Sequence, residues 1–421
     1  MTSDVLDDRP LVDLVFFDAG GGHRASAHAL KAVIERGGWN WRVRLTNLRD
    51  VLEPVDPFSR IAGIRVEDVY NGMLKRGLTL GTGALLRSTQ ILIRQLHARE
   101  VARLSTHWFQ TEPDIVVSMI PNFNRAILQG LRAADSAADR TPTPMVTLLT
   151  DMADYPPHFW IERQEQYVIC GTETAAQQAL LIGHAPERVF RTSGMIVRPE
   201  FYDPPSIDRA EERVRLGLDP ALPTGIVVFG GFGSRRMLTI AKRVAANSTK
   251  VQLIFLCGRN ERLKERLAAL ELPFLRYITG FTDRIPFFMR LADFFIGKPG
   301  PGSLSEAFVM GLPAIVERNA FTMVQERFNT DWIRENELGV VLSSFDDVAD
   351  GVRQICAGLP LYQEHVKALD NRAVFEVPAI LDSIMKRQPV HSRRGPEEQV
   401  GLLALGESRG DLLERVPQNA V

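Results

Sequence analysis

The chain has 421 residues, of which 45% are hydrophobic and 24% are charged, and its formal net charge is −1. This length predicts two domains, the composition is typical of a soluble globular protein, and the near-neutral charge excludes the strongly basic class of nucleic-acid-binding proteins. The three cysteines are far apart and lack metal-ligand spacing, which fits a reducing cytoplasm.

The first half alternates apolar runs with helical periodicity, which is typical of a parallel, doubly wound α/β sheet. We predict strands at 11–17, 114–120, 145–150, 166–170 and 189–192, with helices after the first strand and at 122–134 and 173–182. A proline-rich segment at 197–205 then predicts a linker to a second domain.

Three glycines, Gly20, Gly21 and Gly22, follow the first predicted strand and precede a helix. They place His23 near a helix N-terminus at the carboxyl end of a strand, which is where open α/β sheets bind ligands. The helix dipole should lower the pKa of His23 and favour the neutral imidazole that a general base needs. A histidine that only caps the turn is the alternative. The spacing is not G-x-G-x-x-G, so a nicotinamide nucleotide is not indicated.

Between residues 58 and 108, arginines and lysines interleave with leucines and isoleucines, with few acids and several glycines. Such a stretch could rest on an anionic membrane surface, or it could form core helices whose arginines are solvated. Polar residues follow Met1 directly and no apolar run is long enough to span a bilayer, so we expect neither a signal peptide nor a transmembrane helix. The prediction is a cytoplasmic protein, peripheral to the inner face of the cell membrane.

The second half repeats the alternation. We predict strands at 225–229, 250–257, 274–278, 294–296 and 312–316, with helices at 237–245, 259–270, 284–290 and from 303 onward. Glycine-rich turns at 230–234 and 297–303 lie in this half, where glycines allow a close backbone approach and helix N-termini attract phosphate. The two turns could flank one diphosphate. A helical segment at 361–387 is expected to return to the first domain, followed by a mobile tail at 388–421.

Glu306 is expected in the first turn of the helix that starts at Ser303. A carboxylate beside a phosphate site could accept hydrogen bonds from ribose hydroxyls. The alternative is a carboxylate that only complements the helix dipole.

Five segments together resemble glycosyltransferase family 28. They are GGGHRASA at 20–27, GMIVRPEFY at 194–202, LCGRN at 256–260, TGFTDRIPFFMRLADFFIGKPGPGSLSEAFVMGLPAIV at 279–316 and the QE pair at 325–326. The best match is the branch of monogalactosyldiacylglycerol synthases and processive diacylglycerol glucosyltransferases, and the peptidoglycan GlcNAc transferase is more distant. The resemblance implies the GT-B fold, with two Rossmann-like doubly wound domains that face each other across a cleft. It implies an acceptor- and membrane-side domain at 1–200 and a nucleotide-sugar domain at 201–360.

The resemblance also implies roles for individual residues. His23 is the candidate catalytic base, and Asp151 and His158 are acceptor-side candidates. Phe281 and Thr282 correspond to uracil-binding positions, and Gln325 and Glu326 to positions near the hexose. The full set of expected donor-binding residues is Gly21, Gly22, Gly231, Gly233, Ser234, Phe281, Thr282, Lys298, Gly300, Gly302, Ser303, Leu304, Glu306, Gln325 and Glu326.

Three loops depart from the family pattern. The loop GGFGSRR at 230–236 differs from the usual all-glycine version and brings the charges of Arg235 and Arg236 near the phosphates. Pro156 and Pro157 precede His158, where many relatives carry a His-Pro pattern, and this puts the role of that histidine in doubt. The loop at 319–322 lacks the usual Pro-Gly before Gln-Glu, which leaves the donor sugar open.

The sequence thus predicts an inverting transferase that moves galactose or glucose from UDP-galactose or UDP-glucose to a membrane lipid, diacylglycerol in particular. The chain has no Asp-x-Asp pair, so we expect no divalent metal and no further cofactor. A UDP-sugar 2-epimerase and a non-catalytic nucleotide-sugar-binding protein are the alternatives.

Overall fold

The computed structural model describes residues 7–18, 22–52, 82–156, 158–203, 206–247 and 250–387, with the backbone alone at 82–96. Its strands form two six-stranded sheets in which every pairing is parallel. Helices flank both, so the predicted doubly wound α/β class is confirmed. Gly20, Gly21, the 58–81 part of the basic stretch and the predicted tail at 388–421 lie outside the described residues.

The first sheet has the strand order β2-β1-β3-β4-β5-β6. Its strands are β1 (Leu11–Phe16), β2 (Arg42–Asn47), β3 (Ile115–Ser118), β4 (Met145–Leu148), β5 (Tyr167–Cys170) and β6 (Val189–Arg191). The helices around it are α1 (Gly22–Arg36), α2 (Leu48–Leu52), α3 (Thr82–Thr111), α4 (Asn124–Ala137) and α5 (Glu173–Ile182). Four of the strands are buried along their whole length, as expected for a parallel sheet covered on both faces.

A buried carboxylate joins the first sheet to a helix that covers it. Asp13 on β1 is fully buried and accepts hydrogen bonds from Thr46 Oγ1 at 2.6 Å and Arg44 Nη2 at 2.7 Å, both on β2. Trp108 Nε1, on α3, donates to the same carboxylate at 3.1 Å. These bonds compensate the cost of burying the charge, and they fix α3 against the sheet. Leu104 and Trp108 are buried, so this end of the basic, apolar stretch belongs to the core.

The second sheet has the order β12-β11-β10-β7-β8-β9. Its strands are β7 (Thr224–Val228), β8 (Gln252–Leu256), β9 (Arg276–Thr279), β10 (Phe294–Gly297), β11 (Ala314–Glu317) and β12 (Gly339–Leu342). Its helices are α6 (Arg209–Arg215), α7 (Arg236–Ala246), α8 (Glu261–Ala268), α9 (Ile285–Arg290), α10 (Pro301–Val309), α11 (Val324–Glu335), α12 (Val348–Ala357) and α13 (Leu359–Lys367). Short 3₁₀ turns lie at Pro186–Arg188, Pro199–Phe201 and Phe345–Asp347.

The chain passes from one sheet to the other twice, and hydrogen bonds join the two connecting regions. After α13 the helix α14 (Ala373–Lys386) packs Val377, Leu381 and Ile384 into the core of the first sheet. Glu376 accepts hydrogen bonds from Ser193, at 2.6 Å from Oγ and 2.9 Å from the backbone nitrogen. The two connections are therefore tied together beside the cleft.

Several elements differ from the sequence-based expectation. Strand β2 was not predicted, because its alternation of arginine, valine and leucine lacks a long apolar run. Strand β12 and helices α2, α6, α11 and α12 were not predicted either. The segment at 361–387 was expected as one helical stretch, whereas it is divided between α13 and α14. Within the described residues, no helix combines the length and hydropathy needed to cross a bilayer.

Candidate active site

The candidate site is formed where the strand order of each sheet reverses. In the first sheet β1 lies beside β3, and in the second β7 lies beside β10. The helices after such neighbours lie on opposite faces, which opens a crevice at the carboxyl ends of the strands. The glycine-rich turns of the sequence follow β1, β7 and β10.

His23 is the second residue of α1. Its Nδ1 lies 3.0 Å from Thr150 Oγ1, and its ring centroid is 5.8 Å from the ring of Trp160. Burial lowers the pKa of His23 to about 4, opposed by a hydrogen bond to the carbonyl of Met119. The imidazole is therefore neutral at pH 7. The sequence predicted this lowered pKa from the helix dipole, whereas burial is the largest cause in the structure.

Two residues separate Asp151 from the end of β4, and Trp160 forms a hydrogen bond with its carboxylate. Asp151 Oδ2 accepts a hydrogen bond from Trp160 Nε1 at 2.9 Å. Burial raises the pKa of Asp151 to about 6, Trp160 opposes this, and the charges of Glu326 and Lys298 also act on it. Lys298 and Glu326 lie beside the second sheet, whereas Asp151 follows a strand of the first. The two halves of the chain therefore contribute to one site.

The loop after Asp151 is organised by a second carboxylate. Asp154 accepts hydrogen bonds from the backbone nitrogens of His158 at 2.9 Å and Trp160 at 2.6 Å. His158 has φ of 64° and an exposed side chain, and the hydrogen bond that the structure gives it comes from its backbone. The structure thus brings Asp151 to the cleft, whereas the side chain of His158 forms no hydrogen bond or ion pair with the residues that the structure describes.

On the facing side, Lys298 and Glu326 form an ion pair, with Lys298 Nζ 3.1 Å from Glu326 Oε1. Glu326, in the first turn of α11, is buried, while Lys298 is partly exposed. Gln325 precedes Glu326 and is half-buried. A lysine on a buried carboxylate keeps a positive charge at a fixed position, which suits a phosphate group entering beside it.

The loop after β10 carries the predicted anion site. Gly300 caps α10 and Pro301 is its first residue. The N–H groups of Gly302 and Ser303 therefore have no partner within the helix, whereas Leu304 N–H donates to Gly300 O at 3.1 Å. The side chain of Leu304 is fully buried, so this residue reaches no ligand with its side chain.

The loop after β10 is anchored by a hydrogen bond from α11, and the space beside its glycine is open. Asn329 Nδ2 on α11 donates to Pro299 O at 2.7 Å. A Cβ added to Gly302 would meet nothing within 4 Å, which leaves open space at the start of the helix. Free N–H groups, open space and a neighbouring Lys298 are the features of an anion-binding helix start.

The loop after β7 is the second glycine-rich turn. Gly233 has φ of 59°, and a Cβ there would lie 2.6 Å from the carbonyl oxygen of Cys257, so only glycine fits. Gly231 O accepts the backbone N–H of Arg259 at 2.8 Å, and Ser234 Oγ accepts that of Arg236 at 3.2 Å. The turn is therefore fixed by backbone bonds, and Gly231 is exposed.

Phe281 and Thr282 lie in the loop after β9. The side chain of Phe281 is 59% exposed, and the guanidinium carbon of Arg259 lies 4.8 Å from its ring centroid. Thr282 Oγ1 accepts the backbone N–H of Arg284 at 3.0 Å. An exposed aromatic ring with a cation on one face can stack a planar base.

Glu306 is not in the first turn of its helix, as the sequence analysis expected. Because α10 begins at Pro301 and not at Ser303, Glu306 is its sixth residue and lies in the second turn. Burial raises the pKa of Glu306 to about 7, and the charge of Arg198 opposes this. Arg198 Nε lies 3.7 Å from Glu306 Oε1.

Sequence reasoning missed four residues that support these groups: Thr150, Trp160, Arg198 and Arg259. Arg198 lies inside the GMIVRPEFY motif and Arg259 inside LCGRN, so the motifs could have pointed to both. Thr150 and Trp160 carry no comparable signal, since only the fold brings them to His23.

Part of the chain matches a known domain family, and most of it is similar to characterised enzymes. Residues 225–323 match the model of the glycosyltransferase family 28 C-terminal domain. The chloroplastic monogalactosyldiacylglycerol synthase of Spinacia oleracea is 29% identical over 390 residues, which cover 89% of this chain and 72% of that protein. Chloroplastic monogalactosyldiacylglycerol synthase 1 of Arabidopsis thaliana is 28% identical over 349 residues, or 79% of this chain and 62% of that protein. The chain thus spans less than two thirds of the Arabidopsis enzyme.

Solved structures share the fold at low identity. Anabaena Alr3699/HepE in complex with UDP has a TM-score of 0.52 and 13% identity, covering 90% of this chain and 100% of that one. MurG of Acinetobacter baumannii has a TM-score of 0.51 and 12% identity, covering 89% and 99%.

We predict that Asp151→Asn stabilises the protein at high pH. The folded-state pKa of Asp151 is about 6 against an ordinary 3.8, so its ionisation destabilises the fold as pH rises from 3.8 through 6. The asparagine removes this penalty, which amounts to as much as about 3 kcal/mol in the free energy of unfolding at pH 8 and nearly nothing at pH 4. Urea unfolding at both pH values measures it.

The control for this experiment is Asp139→Asn, because Asp139 is exposed. It should leave stability within about 0.5 kcal/mol of wild type at either pH. Equal stability of Asp151→Asn and wild type at pH 8 would contradict the assignment of a buried, raised-pKa carboxylate.

Proposed function

We propose that the chain, whose residues 225–323 match the glycosyltransferase family 28 C-terminal domain, transfers galactose or glucose from a UDP-sugar to a diacylglycerol-type lipid. The observation that carries the proposal is the pairing of a half-buried His23, whose pKa is lowered to about 4, with a helix start on the other sheet that has open space beside Gly302. The similarity to enzymes named monogalactosyldiacylglycerol synthases supports galactose as the sugar and diacylglycerol as the acceptor.

In the proposed reaction, His23 takes the proton of the acceptor hydroxyl. The hydroxyl oxygen forms a bond to the anomeric carbon while the bond from that carbon to the diphosphate oxygen breaks. UDP leaves with the electron pair, and the attack from the opposite side inverts the anomeric centre. The proton on His23 then passes to solvent. A histidine that is neutral before the reaction can accept this proton without first losing one.

The leaving diphosphate carries the charge that the site must stabilise. The N–H groups of Gly302 and Ser303 and the ammonium of Lys298 are the groups that we assign to it. Fixed donors of this kind typically contribute about 3–4 kcal/mol each to the transition state. Phe281 would stack the uracil, Glu306 would accept the ribose hydroxyls, and Gln325 and Glu326 would contact the hexose.

We further propose that residues 1–200 hold the lipid and residues 201–360 the donor, with the protein bound peripherally to an anionic membrane surface. The resemblance at 20–27 and 279–316 supports this division.

The test is transfer of label from UDP-[¹⁴C]galactose or UDP-[¹⁴C]glucose to anionic vesicles with and without diacylglycerol. We expect label in the organic phase only when diacylglycerol is present, and the faster donor identifies the sugar. Label that stays in water with an epimerised donor would favour a UDP-sugar 2-epimerase. A donor that binds and remains unchanged would favour a non-catalytic binding protein.

His23→Ala should lower turnover about 10²–10⁴-fold, because the acceptor proton loses its base. Affinity for UDP, measured by calorimetry, should change little, since the donor groups lie on the other sheet. His28→Ala is the matched control, as His28 is exposed on the same helix. Wild-type turnover in His23→Ala would make His23 structural.

Turnover should not depend on a divalent metal, because Lys298 and a helix start already supply positive charge to the diphosphate. We expect EDTA to leave the rate unchanged. Loss of turnover with EDTA that Mg²⁺ or Mn²⁺ restores would overturn this proposal.

A further inference from the structure

The ring of His23 is held by a hydroxyl group. Thr150 Oγ1 lies 3.0 Å from His23 Nδ1, within hydrogen-bond distance. Thr150 follows β4, whereas His23 lies on the helix after β1, so the contact joins segments that are 127 residues apart. A bond over that separation exists only in the folded protein, and it fixes one nitrogen of the ring.

The carboxylate next to Thr150 is engaged elsewhere. Asp151 Oδ2 accepts the hydrogen bond from Trp160 Nε1, and the same indole packs 5.8 Å from the imidazole of His23. The pKa of His23 responds to burial and to the carbonyl of Met119, and no carboxylate is among its causes. The ring is thus oriented by neutral oxygen atoms, where many catalytic histidines have a carboxylate.

We infer that Thr150 is a positioning residue for His23, an inference that rests on the proposed role of His23 as the base. In the tautomer that leaves Nε2 free to take the acceptor proton, Nδ1 carries the hydrogen and donates it to Thr150 Oγ1. The hydroxyl can accept this hydrogen, and the bond holds the plane of the ring.

A hydroxyl in this position has a different effect from a carboxylate. A carboxylate would stabilise the imidazolium and raise the pKa of the histidine. Thr150 orients the ring without adding a charge, so His23 stays neutral before the acceptor arrives. Thr150 therefore fixes the orientation of the ring without causing His23 to be protonated at neutral pH.

The chain offers an isosteric pair of variants for the test. Thr150→Val replaces the hydroxyl by a methyl group of similar size, and Thr150→Ser keeps the hydroxyl. Thr147 lies on β4 itself, is fully buried, and its hydroxyl has no hydrogen-bond partner. Thr147→Val is therefore the matched control for placing valine at this end of the sheet.

We expect Thr150→Val to lower kcat about 10–100-fold, since small misplacements of a catalytic group cost up to this much. The KM for the UDP-sugar should stay within about twofold, because the hydrogen bond of the Thr150 hydroxyl goes to His23 and not to a donor loop. Thr150→Ser should restore most of kcat. Thr147→Val should behave as wild type. If Thr150→Val does not fold, Thr150→Ala carries the same expectation.

A spectroscopic readout separates this inference from the proposed function. In ¹⁵N-histidine spectra, the ring signals of His23, identified by their loss in His23→Ala, should shift in Thr150→Val and return in Thr150→Ser. Unchanged signals and unchanged kcat in Thr150→Val would overturn the inference, while an inactive His23→Ala would still support the base. A fully active His23→Ala would instead overturn the proposed function, whatever the spectra show.

Discussion

The constraint on which the structure depends is that a parallel sheet must be covered on both faces. Neighbouring parallel strands are joined by crossover connections, and the helices of these connections change from one face of the sheet to the other where the strand order reverses. Every strand therefore ends at the same edge, and the helices that follow begin there with unpaired N–H groups. Two such sheets in a GT-B arrangement bring two polar edges together, which is why glycine-rich turns and titratable side chains meet in one cleft.

Burial in this cleft shifts three groups toward their neutral forms. The pKa of His23 falls, and those of Asp151 and Glu306 rise. The cationic neighbours oppose the rise in pKa, Arg198 at Glu306 and Lys298 at Asp151, whereas the charge of Glu326 adds to the rise at Asp151. The desolvated carboxyl groups reduce stability at neutral pH, which is a common cost of a site that must bind polar ligands.

Much of this could be predicted from the sequence, because glycine-rich turns after apolar strands have few structural uses. Lys298, Gly300 and His23 stand in such turns, and their positions at strand ends follow from the strand pattern alone. The sequence was wrong about the position of Glu306 in its helix, since a proline at the first helical position starts α10 two residues earlier. It also did not show that the side chain of Leu304 belongs to the core.

The sequence by itself determined the α/β class, the glycine turns and the chemistry of the candidate groups, since these depend on local pattern and residue type. Only the tertiary structure decided which groups meet: Thr150 with His23, Trp160 with Asp151, and Arg198 with Glu306. The first and third pairs join segments far apart in the chain, and the second closes an irregular loop of nine residues. Local periodicity predicts none of these contacts. The same holds for the pKa values, because burial, which sets their direction, is a property of the whole fold.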